Sequence, residues 1–132
     1  PQIEDEATDL PYRIPALLSE QGIKFCLKGS GDMEAMNSRN LPFLAGTAMA
    51  YGIYEEAAVR SISLDPCEII GISADYGSIE KGKKASFFVS VGNALDMMTN
   101  DVTLISLDGV LRSTSNFQLE LYKRYRDKYE RQ

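Results

Sequence analysis

The stretch DPCEIIGISADYGSIEKGKKASFFV occupies residues 65–89. A helix start, a glycine stop, a polar turn and an apolar strand follow one another inside it. Asp65 suits an N-cap, Pro66 suits the first helical position, and Glu68 stands three after the cap as in a capping box. Gly71 supplies the helix stop. Gly77 and Gly82 then frame a polar turn. Phe87, Val89 and Val91 alternate as one face of a strand. The order predicts a short helix that turns the chain out of a helical layer and into a small β unit.

Toward the N-terminus, YEEAAVRSIS reads as a helix with Glu55 and Glu56 in its first turn, where the helix dipole favours anions. Its apolar stripe is Ala58, Val59 and Ile62. LPFLAGTAMAYG reads as a buried helix that closes at Gly52. Its small residues Ala45, Gly46, Ala48 and Ala50 suit close packing. The polar SGDMEAMNSRN before it reads as a loop. IKFCLKG sets Ile23, Phe25 and Leu27 against Lys24, Cys26 and Lys28, the alternation of a strand. A helix is expected from Pro15 to Gln21, ended by Gly22. Residues 1–9 are acidic and read as a loose lead-in.

Toward the C-terminus, strands are expected over 86–91, 102–107 and 110–112, the last two joined by the Asp108-Gly109 hairpin pair. SNFQLELYKRYRDKYE then forms an amphipathic helix. Ser115 with Gln118 is its expected capping box, and Phe117, Leu121, Tyr125 and Tyr129 recur every four residues.

At 132 residues the chain is sized for one folded domain. Its net charge of −5 disfavours a general nucleic-acid or anionic-membrane surface. No apolar run reaches the roughly 18 residues of a spanning helix, and the acidic opening PQIEDEATDLP is no signal peptide. A soluble chain is expected, with its compartment left open. It starts at Pro1 rather than Met, which suggests a longer or processed protein. Cys26 and Cys67, 41 positions apart, make no zinc spacing and no disulfide framework, and read as buried thiols. There is no histidine. That removes Ser-His and Cys-His catalysis and the commonest ligand for zinc-type metals.

The segment YGIYEEAAVRSISLDPCEIIGISADYGSIEKGKKASFFV resembles the C-terminal part of the amidohydrolase superfamily, and among its members the imidazolonepropionase-like proteins. There a last barrel helix ends in a pattern like "eeALraiTlnPAkilGl", and "GsIekGKdADlvv" leads back into a small β-sandwich. Glu56, Ala57, Ile62, Pro66, Ile70, Gly71, Gly77, Ser78, Ile79, Gly82, Lys83 and Ala85 match. Ser86 departs from the family's Asp, and Asn93-Ala94-Leu95 stands where "dPL" is frequent.

The resemblance covers about residues 10–112. It implies an α/β fold: the last β/α unit of a (β/α)8 metal-hydrolase barrel in residues 1–72, part of the accessory β-sandwich in 73–114, and a C-terminal helix in 115–132. IKFCLKG would be the last barrel strand.

Barrel enzymes carry catalytic groups at the C-terminal ends of strands. The resemblance therefore points to Asp32, a residue or two later than the family's last-strand Asp, which binds metal or takes a proton from the attacking water. A solvated loop Asp is the alternative for Asp32. Glu34, Asn37 and Arg39 share its loop. The implied activity is metal-dependent hydrolysis of a C–N bond in a cyclic or linear amide, with a zinc-type divalent metal held by the full-length protein and none in this chain. The implied partner is the remainder of the barrel upstream of Pro1, and the chain alone is expected to be inactive. The competing reading is a non-catalytic structural or interaction module on the same fold. A homodimer through the apolar faces of residues 41–51 is expected when those faces lack a cover. A glycosidase-like pair of carboxylates has no support, since no two acidic groups occupy settings that would push their pKa values apart.

Overall fold

The computed structural model describes residues 7–29 and 33–130. Five helices and a single 3-10 turn precede the sheet. They are α1 (Leu10–Glu20), α2 (Glu34–Asn37), the 3-10 turn Ser38–Asn40, α3 (Leu41–Ala50), α4 (Glu55–Ile62) and α5 (Leu64–Ile69). Strands β1 (Phe87–Ser90), β2 (Val102–Leu107) and β3 (Val110–Arg112) follow, then α6 (Phe117–Tyr129). Among the described residues no helix is long and apolar enough to cross a membrane.

The helical layer packs through small side chains. Its buried apolar residues are Ala16, Ala45, Ala48, Ile53, Ala58 and Leu95, with Leu27, Met49 and Ile62 packed against them. Gly46 lets α3 come close to the turn that carries Leu95. A Cβ at Gly46 would lie 2.2 Å from the Leu95 carbonyl oxygen. The sheet is antiparallel in the order β1-β2-β3, with Phe87 opposite Ser106 and Ser106 opposite Leu111. Asp108 and Gly109 take positive φ of 50° and 82°, as the hairpin pair predicts.

The three strands fall where expected, and the differences lie elsewhere. No strand pairs with residues 23–29 among the described residues. The Leu27 N–H donates instead to the Ser61 carbonyl at 3.0 Å, so α4 holds the segment. An apolar alternation specifies which side faces inward, but a ladder needs a neighbouring strand. Likewise, the described residues supply one sheet and no second sheet to face it. Val89 and Val91 stay exposed at 46% and 77%, where a sandwich interior would bury them.

Helix α1 begins at Leu10, five residues before Pro15, because Pro11 also suits a first turn. The expected loop over 30–40 holds α2 and the 3-10 turn from Glu34 onward. Ser63, not Asp65, precedes α5; the Asp65 carboxylate accepts from Arg60 Nη2 at 2.9 Å. Asn116, not Ser115, caps α6, its Oδ1 accepting from the Leu119 N–H at 2.9 Å. On α4 Ser61 is buried where Val59 was expected, since its Oγ satisfies itself on the Ala58 carbonyl at 2.7 Å. Cys26 is exposed on the polar side of its segment, and Cys67 is half-buried.

Gly46→Ala should destabilise the chain. In an open helix the change stabilises by about 0.5–1 kcal/mol. Here the new methyl meets a backbone oxygen, and overpacking of this kind costs about 1–3 kcal/mol. Chemical denaturation decides the sign, and a stabilised variant would contradict the close approach.

Candidate functional site

The C-terminal end of the 23–29 segment opens into a cleft of about 610 Å³. Lys28 and Gly29 form one wall; Asn37, Ser38 and Asn40 form the other, with Leu41 and Leu44 as its apolar floor. Two contacts fix this geometry. The Leu27–Ser61 hydrogen bond anchors the segment, and α3 begins at Leu41 with a proline in its first turn, which suits a helix start. The cleft thus combines amide and hydroxyl groups with a lysine. Such a set suits a polar or anionic group on a bound molecule, but none of these lining residues is a carboxylate that would accept a proton.

Asp32 lies outside the described residues, in the short gap between Gly29 and Met33. Of the described residues on either side of that gap, Gly29 lines the cleft and Met33 does not. Asn37 lines it. Arg39 does not. It lines a separate groove of about 520 Å³ with Pro42, Phe87, Val102 and Ile105, at the face of the sheet. Glu34 opens α2. The sequence reading passed over Lys28, Ser38 and Asn40. The signal that marks Ser38 and Asn40 is the polar run NSRN placed directly before a helix-starting Leu-Pro.

The other end of the segment carries an ion-pair cluster. Lys24 donates to Glu68, and Arg60 bonds Asp65 at 2.9 Å and approaches Glu68 at 3.8 Å. The Lys24 hydrogen bond, first among its causes, holds the Glu68 carboxyl below its ordinary range. The acidic residues of DPCE therefore clamp the segment and α4 onto α5. Further on, hydrogen bonds from Ser78 and then Lys83 lower Glu80. Tyr76 raises Lys84, whose ammonium also sits 4.8 Å from the Tyr76 ring. These contacts pin the 77–84 turn and lie away from the cleft. Gly77 belongs to the same turn: its φ is +96°, and a Cβ there would meet Leu64 Cα at 2.9 Å.

Among the described residues no group of three or more Cys, Asp or Glu converges to hold a metal ion. The chain has no histidine, the commonest protein ligand for zinc-type metals.

A helical layer joined to a small antiparallel sheet, with a polar cleft at the end of an apolar segment, is the frame in which a hydrolase family enters. The amidohydrolase family matches residues 12–114, most of the chain, and the protein belongs to that family. The crystal structure of an amidohydrolase from Thermotoga maritima MSB8 is similar, with a TM-score of 0.69 and 29% identity. The match covers 85% of this chain and 29% of that one, so the chain spans under a third of its neighbour's length. No curated protein matches the chain.

The Glu68 clamp gives a pH dependence with a definite sign. A carboxyl lowered in the folded state adds stability that is present above its ordinary value of 4.5 and is lost as pH falls through the lowered value. Glu68→Gln should remove that part of the acid sensitivity and flatten the unfolding midpoint against pH below 4.5. An unchanged acid limb would show that the clamp adds nothing.

Proposed function

We propose that the chain is the C-terminal portion of a metal-dependent, imidazolonepropionase-like amidohydrolase that cleaves a C–N bond in a cyclic or linear amide. The observation that carries this reading is the family match through residues 12–114, joined to a cleft at the end of 23–29. On this reading 23–29 becomes a barrel strand when the rest of the barrel pairs with it, and barrel enzymes put their chemistry at the C-terminal ends of strands.

The limited share of the Thermotoga maritima protein that the chain spans supports a piece of a larger enzyme. So does the exposure of large apolar side chains such as Ile79 at 83% and Met98 at 89%. On this reading the metal ligands come from the remainder of the barrel, upstream of Pro1. The described residues border the cleft and hold its shape. Lys28, Asn37 and Asn40 orient polar groups of the substrate. Asp32, which stands between Gly29 and Asn37 in the sequence, takes a proton from the attacking water and returns it to the leaving nitrogen.

Asp32→Asn in the intact enzyme should lower kcat by about 10²–10⁴-fold, the usual contribution of a positioned acid/base, with substrate binding largely kept. Retention of more than about half of wild-type kcat would remove Asp32 from the mechanism, since no lost acid/base costs so little.

A further inference from the structure

The groove of about 520 Å³ beside the sheet differs from the cleft in what its side chains offer. Its apolar lining is Pro42 of α3 with Phe87, Phe88, Val102 and Ile105 of the sheet. Arg39 is the one charged residue among the described residues that line it. The groove is held open by the fold itself. Strands β1 and β2 pair directly, with Phe88 opposite Ile105, and the Gly46–Leu95 contact fixes α3 against the turn between those strands. The volume falls within the range of about 300–1,000 Å³ typical of small-molecule sites.

The polar side chains of the lining select the ligand. Ser86 Oγ donates to Asp108 Oδ1 at 3.0 Å and accepts from the Asp108 N–H at 3.0 Å. Ser106 Oγ donates to the Ala85 carbonyl at 2.7 Å. Asn100 Oδ1 accepts from Ser90 Oγ at 2.8 Å. The hydroxyls and the amide oxygen are thus committed inside the fold. The Asn100 amide nitrogen and the Arg39 guanidinium remain, and both are donors. Arg39 is exposed, and its side chain makes no hydrogen bond or ion pair among the described residues. Asp108, the carboxylate behind Ser86, is not part of the lining. A purely apolar cover would strand the guanidinium, because a buried charge needs a partner. Two copies meeting groove to groove about a two-fold axis would set Arg39 against Arg39. A carboxylate on an apolar body satisfies both the cation and the apolar wall, and guanidinium and carboxylate can form paired hydrogen bonds.

We propose that this groove is a ligand site separate from the cleft and that it binds a small carboxylate with an aromatic or aliphatic body. The carboxylate pairs with Arg39, and the body lies against Phe88 and Ile105. The inference does not rest on the hydrolytic reading.

Titration of the isotope-labelled full chain with phenylbutyrate, followed by amide NMR shifts, tests it. Phenylbutanamide, the neutral counterpart, and acetate, which lacks the body, are the controls. Shifts should centre on Phe87, Phe88, Val102 and Ile105. Phenylbutyrate should bind about tenfold more tightly than either control, the scale of a charge-assisted hydrogen bond. Arg39→Met should bring the acid down to the affinity of the amide and leave the amide unchanged. Phe88→Ser should weaken acid and amide alike. Arg39 is exposed and Phe88 is 47% exposed, so circular dichroism and the unfolding midpoint should match wild type; if Phe88→Ser fails to fold, Arg39→Met decides alone. Equal affinity for acid and amide, an Arg39→Met variant that still discriminates them, shifts centred on Asn37 and Asn40 of the cleft, or no saturable binding would each overturn the proposal. So would shifts of the same lining amides on dilution without ligand, the mark of a self-contact in the groove.

Discussion

The close approach of the Leu95 turn to α3 joins the two halves of the chain. Leu95 is 5% exposed among alanines, and its carbonyl occupies the space a side chain at Gly46 would need. The turn is shaped in advance. The Leu95 N–H donates to Asn93 Oδ1 at 2.8 Å, and the Met98 N–H donates to Asp96 Oδ1 at 3.0 Å. Asn93 Nδ2 then reaches Glu55 of α4 at 3.0 Å. Hydrogen bonds accepted from the Met98 N–H and then from Thr99 hold the Asp96 carboxyl below its ordinary range. With alanines on one side and a glycine at the crossing, there is no bulky side chain to repack. The sheet is therefore held against the helices by backbone proximity, and α3, whose first turn forms the floor of the cleft, is fixed with it.

The sequence made the β unit legible because its signals are local. Asp108-Gly109 demands positive φ, and the alternation on both sides sets register without help from afar. Helix α3 was legible through its small residues. Other features depend on partners that sequence spacing does not reveal. Asp65 has the right type and place for an N-cap, yet Arg60 stands five residues earlier across the α4–α5 break and takes its carboxylate. Asn116 and Ser115 are both good caps; Ser115 Oγ instead meets Glu120 Oε1 at 3.2 Å. For 23–29 the alternation holds at Phe25 and Leu27, which are half-buried, but Ile23 on the same side is exposed, and pairing depends on strands not found among the described residues.

The candidate site was legible by position only. A polar loop after an apolar alternation marks the end of the 23–29 segment, and the cleft lies there. Which loop residues face it was not legible, because α2 and the 3-10 turn rotate successive side chains to different sides. Asn37 and Asn40 reach the cleft, while Arg39 between them points to the sheet groove. In an extended loop, neighbours alternate between two faces; a tight helical turn separates them by about a third of a revolution. That rotation gives the cleft amides and keeps the arginine out of it.

The division of charge follows the same logic along the whole molecule. Lys24, Arg60, Lys83 and Lys84 are all committed to acceptors within the fold, on Glu68, Asp65, Ser78 and Tyr76. They lock α5 and the 77–84 turn and leave an acidic excess on the rest of the surface. On α6 the basic side chains surround an aromatic stripe, and Arg126 pairs only within the helix and its cap, with Asp127 at 3.5 Å and Glu130 at 3.8 Å. Exposed ion pairs of this sort add little stability singly. Their placement matters more for what meets the surface, since long-range charge governs encounter while apolar burial governs retention. The ion pairs that hold α4, α5 and the 77–84 turn thus all lie before the end of β3, and those of Arg126 beyond it stay local to α6.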